Sequence, residues 1–125
     1  MGLALSGCRL QVRIYLVMPA KAKTTNTGVP VRKVKPVLDL VRGMQAEEAV
    51  NLLQYMSTPI AARILKLLKS AMANAENELA GDSSELKIVE TFADEAPTTK
   101  RFRARARGRA NRINRRSSDV TVILE

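Results

Sequence analysis

Arginine recurs at every second position from Arg101 through Arg103, Arg105 and Arg107 to Arg109. On an α-helix this spacing would scatter the guanidinium groups around the cylinder, whereas on an extended strand it places them on one face. The residues between them, Phe102, Ala104, Ala106, Gly108 and Ala110, are nearly all small. The backbone can therefore approach a partner closely on the other face. With Lys100, Arg112, Arg115 and Arg116, residues 100–116 carry nine basic groups and no acid. No core can absorb such a segment, so whatever the chain folds into must leave it outside, against something anionic.

The rest of the chain divides around this stretch. Residues 1–36 hold seven basic and no acidic groups, residues 37–99 are net −5, and residues 117–125 are net −2, within a total of +9. A mildly acidic middle flanked by basic segments is the asymmetry of a folded body with nucleic-acid contacts attached. At 125 residues, 46% of them hydrophobic, one modest core is within reach. Only 3% are aromatic and Trp is absent, so that core must be aliphatic. One cysteine, Cys8, rules out an internal disulfide, and the absence of histidine removes any Cys/His metal cluster. This usage suits a reducing, intracellular compartment.

Along the chain, residues 19–30 are Thr-rich and loosely alternating, fitting an edge strand or extended arm. Val34, Val37, Leu38 and Val41 follow at the spacing of one helix face. Gly43 is placed to end that helix after Arg42, while Pro36 fits its first turn or else kinks it. Ala46, Ala49, Val50 and Leu53 predict a second, short helix. Ser57-Thr58-Pro59 stops it and starts a third, with a hydroxyl cap before a first-position proline. The third helix carries a wide apolar stripe of Ile60, Ile64, Leu67, Leu68, Ala71, Ala75 and Leu79, ending near the loop signal Gly81-Asp82-Ser83-Ser84.

Beyond the loop the period changes. Residues 86–94 and 120–124 are rich in β-formers, with the arginine stretch between them. The fold class is therefore α+β, three helices packed on an antiparallel sheet. The arginine stretch becomes the distal part of one long hairpin spanning about residues 86–124. With about nine residues per arm beyond the sheet, at about 3.3 Å each, the finger reaches roughly 30 Å. An isolated hairpin of this charge is marginal in water and orders against an anionic partner. Arginine suits RNA through bidentate phosphate contact and base stacking. A short basic run is often only a solvated face or a localisation signal. Here the choice of Arg over Lys, the strict alternation and the flanking strands favour RNA.

Six blocks in register carry a resemblance to a known family. They are Arg32-Lys-Val-Lys35, Asp39-Leu-Val-Arg-Gly43, Glu48-Ala49, residues 70–77, Phe92-Ala-Asp-Glu-Ala-Pro97, and residues 96–124 around Arg105-Ala-Arg-Gly-Arg109. Together these resemble bacterial large-subunit ribosomal protein twenty-two, from about Lys21 to the end of the chain. The resemblance implies helices against a three-stranded sheet on large-subunit ribosomal RNA, with a protruding hairpin that lines the polypeptide exit tunnel near the macrolide site. It implies a hairpin tip near residues 101–107. Residue by residue it assigns RNA contact to Arg32, Lys33 and Lys35 at the start of the first helix. In the hairpin it assigns Lys100, Arg101, Arg103, Arg105, Arg107, Arg109, Arg112, Arg115 and Arg116. The partners implied are large-subunit ribosomal RNA, neighbouring ribosomal proteins and the nascent polypeptide near the tip. The location implied is the cytoplasmic ribosome in preference to an organellar one, with no cofactor and no membrane.

Three positions depart from the family pattern: Ala96 where glycine is frequent, Ala104 where proline is frequent, and Asp119 where histidine is frequent. Ala104 loosens the tip, and Asp119 is expected to hold Arg115 and Arg116 by charge. Residues 1–17 match nothing in the family. They are too short and too charged for a membrane span, and their arginines follow the apolar run, against the order of a signal peptide. A transit peptide and a start-site artefact ahead of a native start at Met18 remain, and the second is preferred. The expected organisation is thus an unmatched extension, 1–17, and a single domain, 18–125.

Two other classes compare poorly. A free-standing DNA- or RNA-binding regulator is the alternative, but no helix-turn-helix or zinc-finger spacing is present. An enzyme would need a nucleophile–base pair from a chain without histidine. The adjacent acids Glu47-Glu48 and Asp94-Glu95 point apart on either kind of element and read as solvated charges. Met44, Met56 and Met72 read as core filling. Asn74 and Asn77 fit caps, hydrogen bonds at the core edge or RNA contacts equally well.

Overall fold

A computed structural model describes residues 19–79 and 86–125, with the side chains of Glu78 and Leu79 excluded. The 1–17 extension, the Met18 start and the loop signal at residues 81–84 lie outside the described residues. Strand β1 (Ala20–Thr24) is followed by helices α1 (Val31–Val41), α2 (Ala46–Tyr55) and α3 (Pro59–Leu79). Two long strands follow, β2 (Ile88–Ala104) and β3 (Ala110–Leu124). The sheet is antiparallel in the order β1-β3-β2, so residues 20–24 do form an edge strand.

Alternation builds the sheet's inner face. Ala20 and Ala22 of β1 stand opposite Leu124 and Val122 of β3, and all four are buried with Val120 and Ile88. Lys21 and Lys23 point to the other, outer face. The helices close the inner face with the stripes read from sequence. Val34, Val37, Leu38 and Val41 come from α1, Ala46, Ala49 and Leu53 from α2, and Ile64, Leu67, Leu68, Ala71 and Ala75 from α3. Met44, Met56 and Met72 pack against this core from its rim.

Helix boundaries follow the caps closely. Gly43 leaves α1 in the left-handed region (φ 80°), where glycine meets no Cβ penalty, and its N–H bonds the Ile88 carbonyl. Pro59 opens α3 as its first residue. Helix α1, however, begins at Val31, which puts Pro36 in its second turn rather than its first. The Arg32 carbonyl there loses its i+4 donor. Asn74 donates from Nδ2 to the Lys21 carbonyl (3.2 Å), so it ties α3 to β1.

Candidate nucleic-acid interface

The sheet continues past its helices. From residue 97 to residue 116 every residue is exposed. About eight residues on each arm extend beyond the body, roughly 26 Å at ~3.3 Å per residue. The chain reverses through a turn at Ala106–Gly108, closed by Arg105 N–H to the Arg109 carbonyl (2.8 Å). Two successive left-handed residues make that reversal, Arg107 (φ 59°) and Gly108 (φ 69°). Only glycine occupies this region without steric cost, so Arg107 is the strained member.

This geometry corrects the single-face expectation. The arginine alternation is folded in half, with Arg101 and Arg103 on β2, Arg105, Arg107 and Arg109 around the turn, and β3 returning alongside. The reversal also sits at the end of the 101–107 span expected for the tip. Cross-strand partners share a face, which sorts the cations. Arg101 lies opposite Ile113, Arg103 opposite Asn111 and Thr99 opposite Arg115. That set continues the outer face of the sheet. Lys100 lies opposite Asn114, Phe102 opposite Arg112, and Arg116 follows in the same alternation. This second set continues the face that, in the body, carries Val120, Val122 and Leu124 into the core. Both faces of the ribbon are therefore cationic, and each displays one large apolar side chain, Ile113 (44% exposed) and Phe102 (76%).

One irregularity sets the sorting. Between Ala96 and Thr99 strand β2 advances three residues while β3 advances two. This bulge inverts the facing of everything distal to it. Ala96 shares the outer face with Ser117, yet Lys100 and Phe102 emerge on the helix side.

The basic start of α1 is not brought to the hairpin as a block. Arg32 lines a cleft with Lys100, Asn114 and Arg116, alongside Glu95. Lys35 instead lines a separate cleft with Asp39, Arg42 and Asp94. Lys33 is exposed on the same helix. Arg42 is occupied structurally, donating to the Thr91 hydroxyl (3.3 Å) and carbonyl (2.9 Å). Asn114 and Glu95 were not legible as site residues, because only the strand register brings them to Arg32.

Asp119 does not hold Arg115 or Arg116. Its carboxylate accepts from the Asn26 backbone N–H (2.9 Å) and lies 3.8 Å from Lys23 Nζ. It stands directly opposite Asp94. Like charges so placed are destabilising, which Lys23 offsets. Asp119 thus belongs to a belt at the base of the hairpin. In that belt Ser117 Oγ donates to Asn26 Oδ1 (2.6 Å) and accepts from Gly28 N–H (2.8 Å). Beside it, Ser118 Oγ donates to the Val29 carbonyl (2.8 Å).

The ribbon is paired, cationic on both faces and exposed from residue 97 to residue 116, which suits contact with a polyanion. Comparison with known proteins agrees. The family model for ribosomal protein L22p/L17e matches residues 22–125. Large ribosomal subunit protein uL22 from two strains of Dehalococcoides mccartyi is 45% identical over 107 residues, covering 86% of this chain and 98% of that protein. Its counterpart from Ligilactobacillus salivarius is 44% identical over 108 residues, covering 86% and 94%. The chain therefore belongs to the ribosomal protein L22p/L17e family, whose members are structural, RNA-binding ribosomal proteins rather than enzymes.

Proposed function

We propose that this chain is a structural component of the large ribosomal subunit in the cytoplasm and binds the subunit's RNA along the whole hairpin. The RNA-binding side chains are Lys100, Arg101, Arg103, Arg105, Arg107, Arg109, Arg112, Arg115 and Arg116, joined by Arg32, Lys33 and Lys35 of α1. The observation that carries this reading is the two-faced ribbon, which fits a site where RNA surrounds the finger. The hairpin lines the polypeptide exit tunnel near the macrolide site, its 105–109 turn faces the nascent chain, and neighbouring ribosomal proteins contact the body.

Sedimentation tests the assignment. The tagged protein is expected to remain with large subunits through sucrose gradients at high salt. Recovery at the top of the gradient would favour a free-standing regulator instead. A photocrosslinker at position 107 is expected to capture nascent chains in translating ribosomes, and capture of RNA alone would remove the tunnel reading.

A further inference from the structure

The cleft between the start of α1 and the hairpin base is a built feature, about 320 Å³ in volume. Three cations line it from three separate elements, Arg32 of α1, Lys100 of β2 and Arg116 of β3, with the Asn114 amide beside them. Glu95 is the acid in its wall, which leaves the cleft net positive. Among the described residues no ion pair within 4.0 Å engages any of the three cations.

The helix end at the cleft adds to this. Helix α1 starts after Pro30 with no side-chain cap and no acid in its first turn. The first turn instead carries Arg32 and Lys33. A helix N-terminus carries partial positive charge and unsatisfied N–H groups, so cations there are unfavourable unless an anion joins them. The β2 bulge next to the cleft turns Lys100 inward, where a regular strand would have turned it away.

We propose that this cleft binds one phosphate of the RNA backbone and thereby fixes the hairpin's angle to α1. The inference rests on the RNA-binding reading above and adds to it a single shared phosphate that three elements hold together. Among the described residues no helix covers the ribbon beyond the Ala96–Ser117 pair, so an anion bound in the cleft would bridge the finger to the body on that side.

Affinity of the full chain for protein-free large-subunit RNA, measured across salt concentrations, tests this. Arg32→Gln and Arg116→Gln are each expected to lose about tenfold at low salt and to flatten the log–log salt slope by about 0.7–0.9. The double variant is expected to lose little more than either single one, because both cations serve the same phosphate. The outer-face pair Arg103→Gln and Arg115→Gln, well separated along the ribbon, is expected to multiply its two losses. Multiplying losses in the cleft pair, or an unchanged slope, would overturn the shared phosphate while leaving RNA binding intact. Absence of salt-dependent binding by the unaltered chain would overturn both readings.

A second measurement needs no variant. Backbone amide resonances of Val31 and Arg32, which line the cleft, are expected to shift with millimolar inorganic phosphate, and RNA is expected to displace that phosphate. Phosphate that saturates these shifts without weakening RNA binding would assign the cleft to a free ion and overturn the proposal.

Discussion

At the scale of single residues, the belt at the hairpin base shows where polar burial is used to hold elements together. Ser118 is fully buried, its hydroxyl donates to the Val29 carbonyl, and it lies 2.7 Å from the Thr27 hydroxyl. Replacing Ser118 with alanine removes both contacts from a buried site. We expect Ser118→Ala to cost about 1–3 kcal/mol in chemical denaturation, with the RNA salt slope unchanged. Asp119 illustrates how a residue's neighbours in sequence mislead. Arg115 and Arg116 are near it along the chain, but the strand carries them away from it. Asp119 pairs with Lys23, nearly a hundred residues upstream, because β1 and β3 are adjacent. Sequence order alone could not rank these candidates, since ion pairing depends on distance in space, which the pairing of β1 with β3 sets.

At the scale of elements, the hairpin and the body divide the work. The helices are held by aliphatic faces whose spacing is set by the 3.6-residue turn, and that spacing is legible in the sequence. The arginine ribbon contributes no core side chain beyond Ala96. Charge reversal at its turn should therefore leave the body alone. We expect Arg105→Glu with Arg107→Glu to keep the circular dichroism spectrum and melting temperature while reducing incorporation into large subunits. Normal incorporation with a collapsed body would contradict this division. The fold class, the three helices, the edge strand and the hairpin were all readable, because each rests on a local period or cap. The facing of Lys100 and Phe102 was not. A single extra residue between Ala96 and Thr99 inverts it, and no local signal distinguishes that bulge from a regular pleat.

At the scale of the whole molecule, a body net negative in its middle carries a strongly positive finger, and the two are joined through one continuous pair of strands. Continuity explains why β2 and β3 are so long: their inner halves belong to the core and their outer halves stand exposed beyond it. If so, the finger is separable. Replacing residues 97–116 with an Asn-Gly turn joins Ala96 to Ser117 at their own register. The shortened chain is expected to fold with a melting temperature within about 5 °C of the full one. Its affinity for large-subunit RNA should fall steeply and its salt slope flatten by the number of phosphates the finger contacted. Loss of folding would show instead that the ribbon supports the sheet.

For the arginines at alternate positions, charge and spacing alone point to a segment that is largely extended, lies outside any core and suits an anionic partner. Those conclusions follow from the two-residue period and the run of like charge, which are local properties. Where the chain turns back, which cations share a face, and that Arg32 meets Lys100 and Arg116 across one cleft all depend on the tertiary arrangement. Strand register, the bulge and the docking of α1 are set by the packing of distant segments, and a one-residue change in register reverses every side chain beyond it.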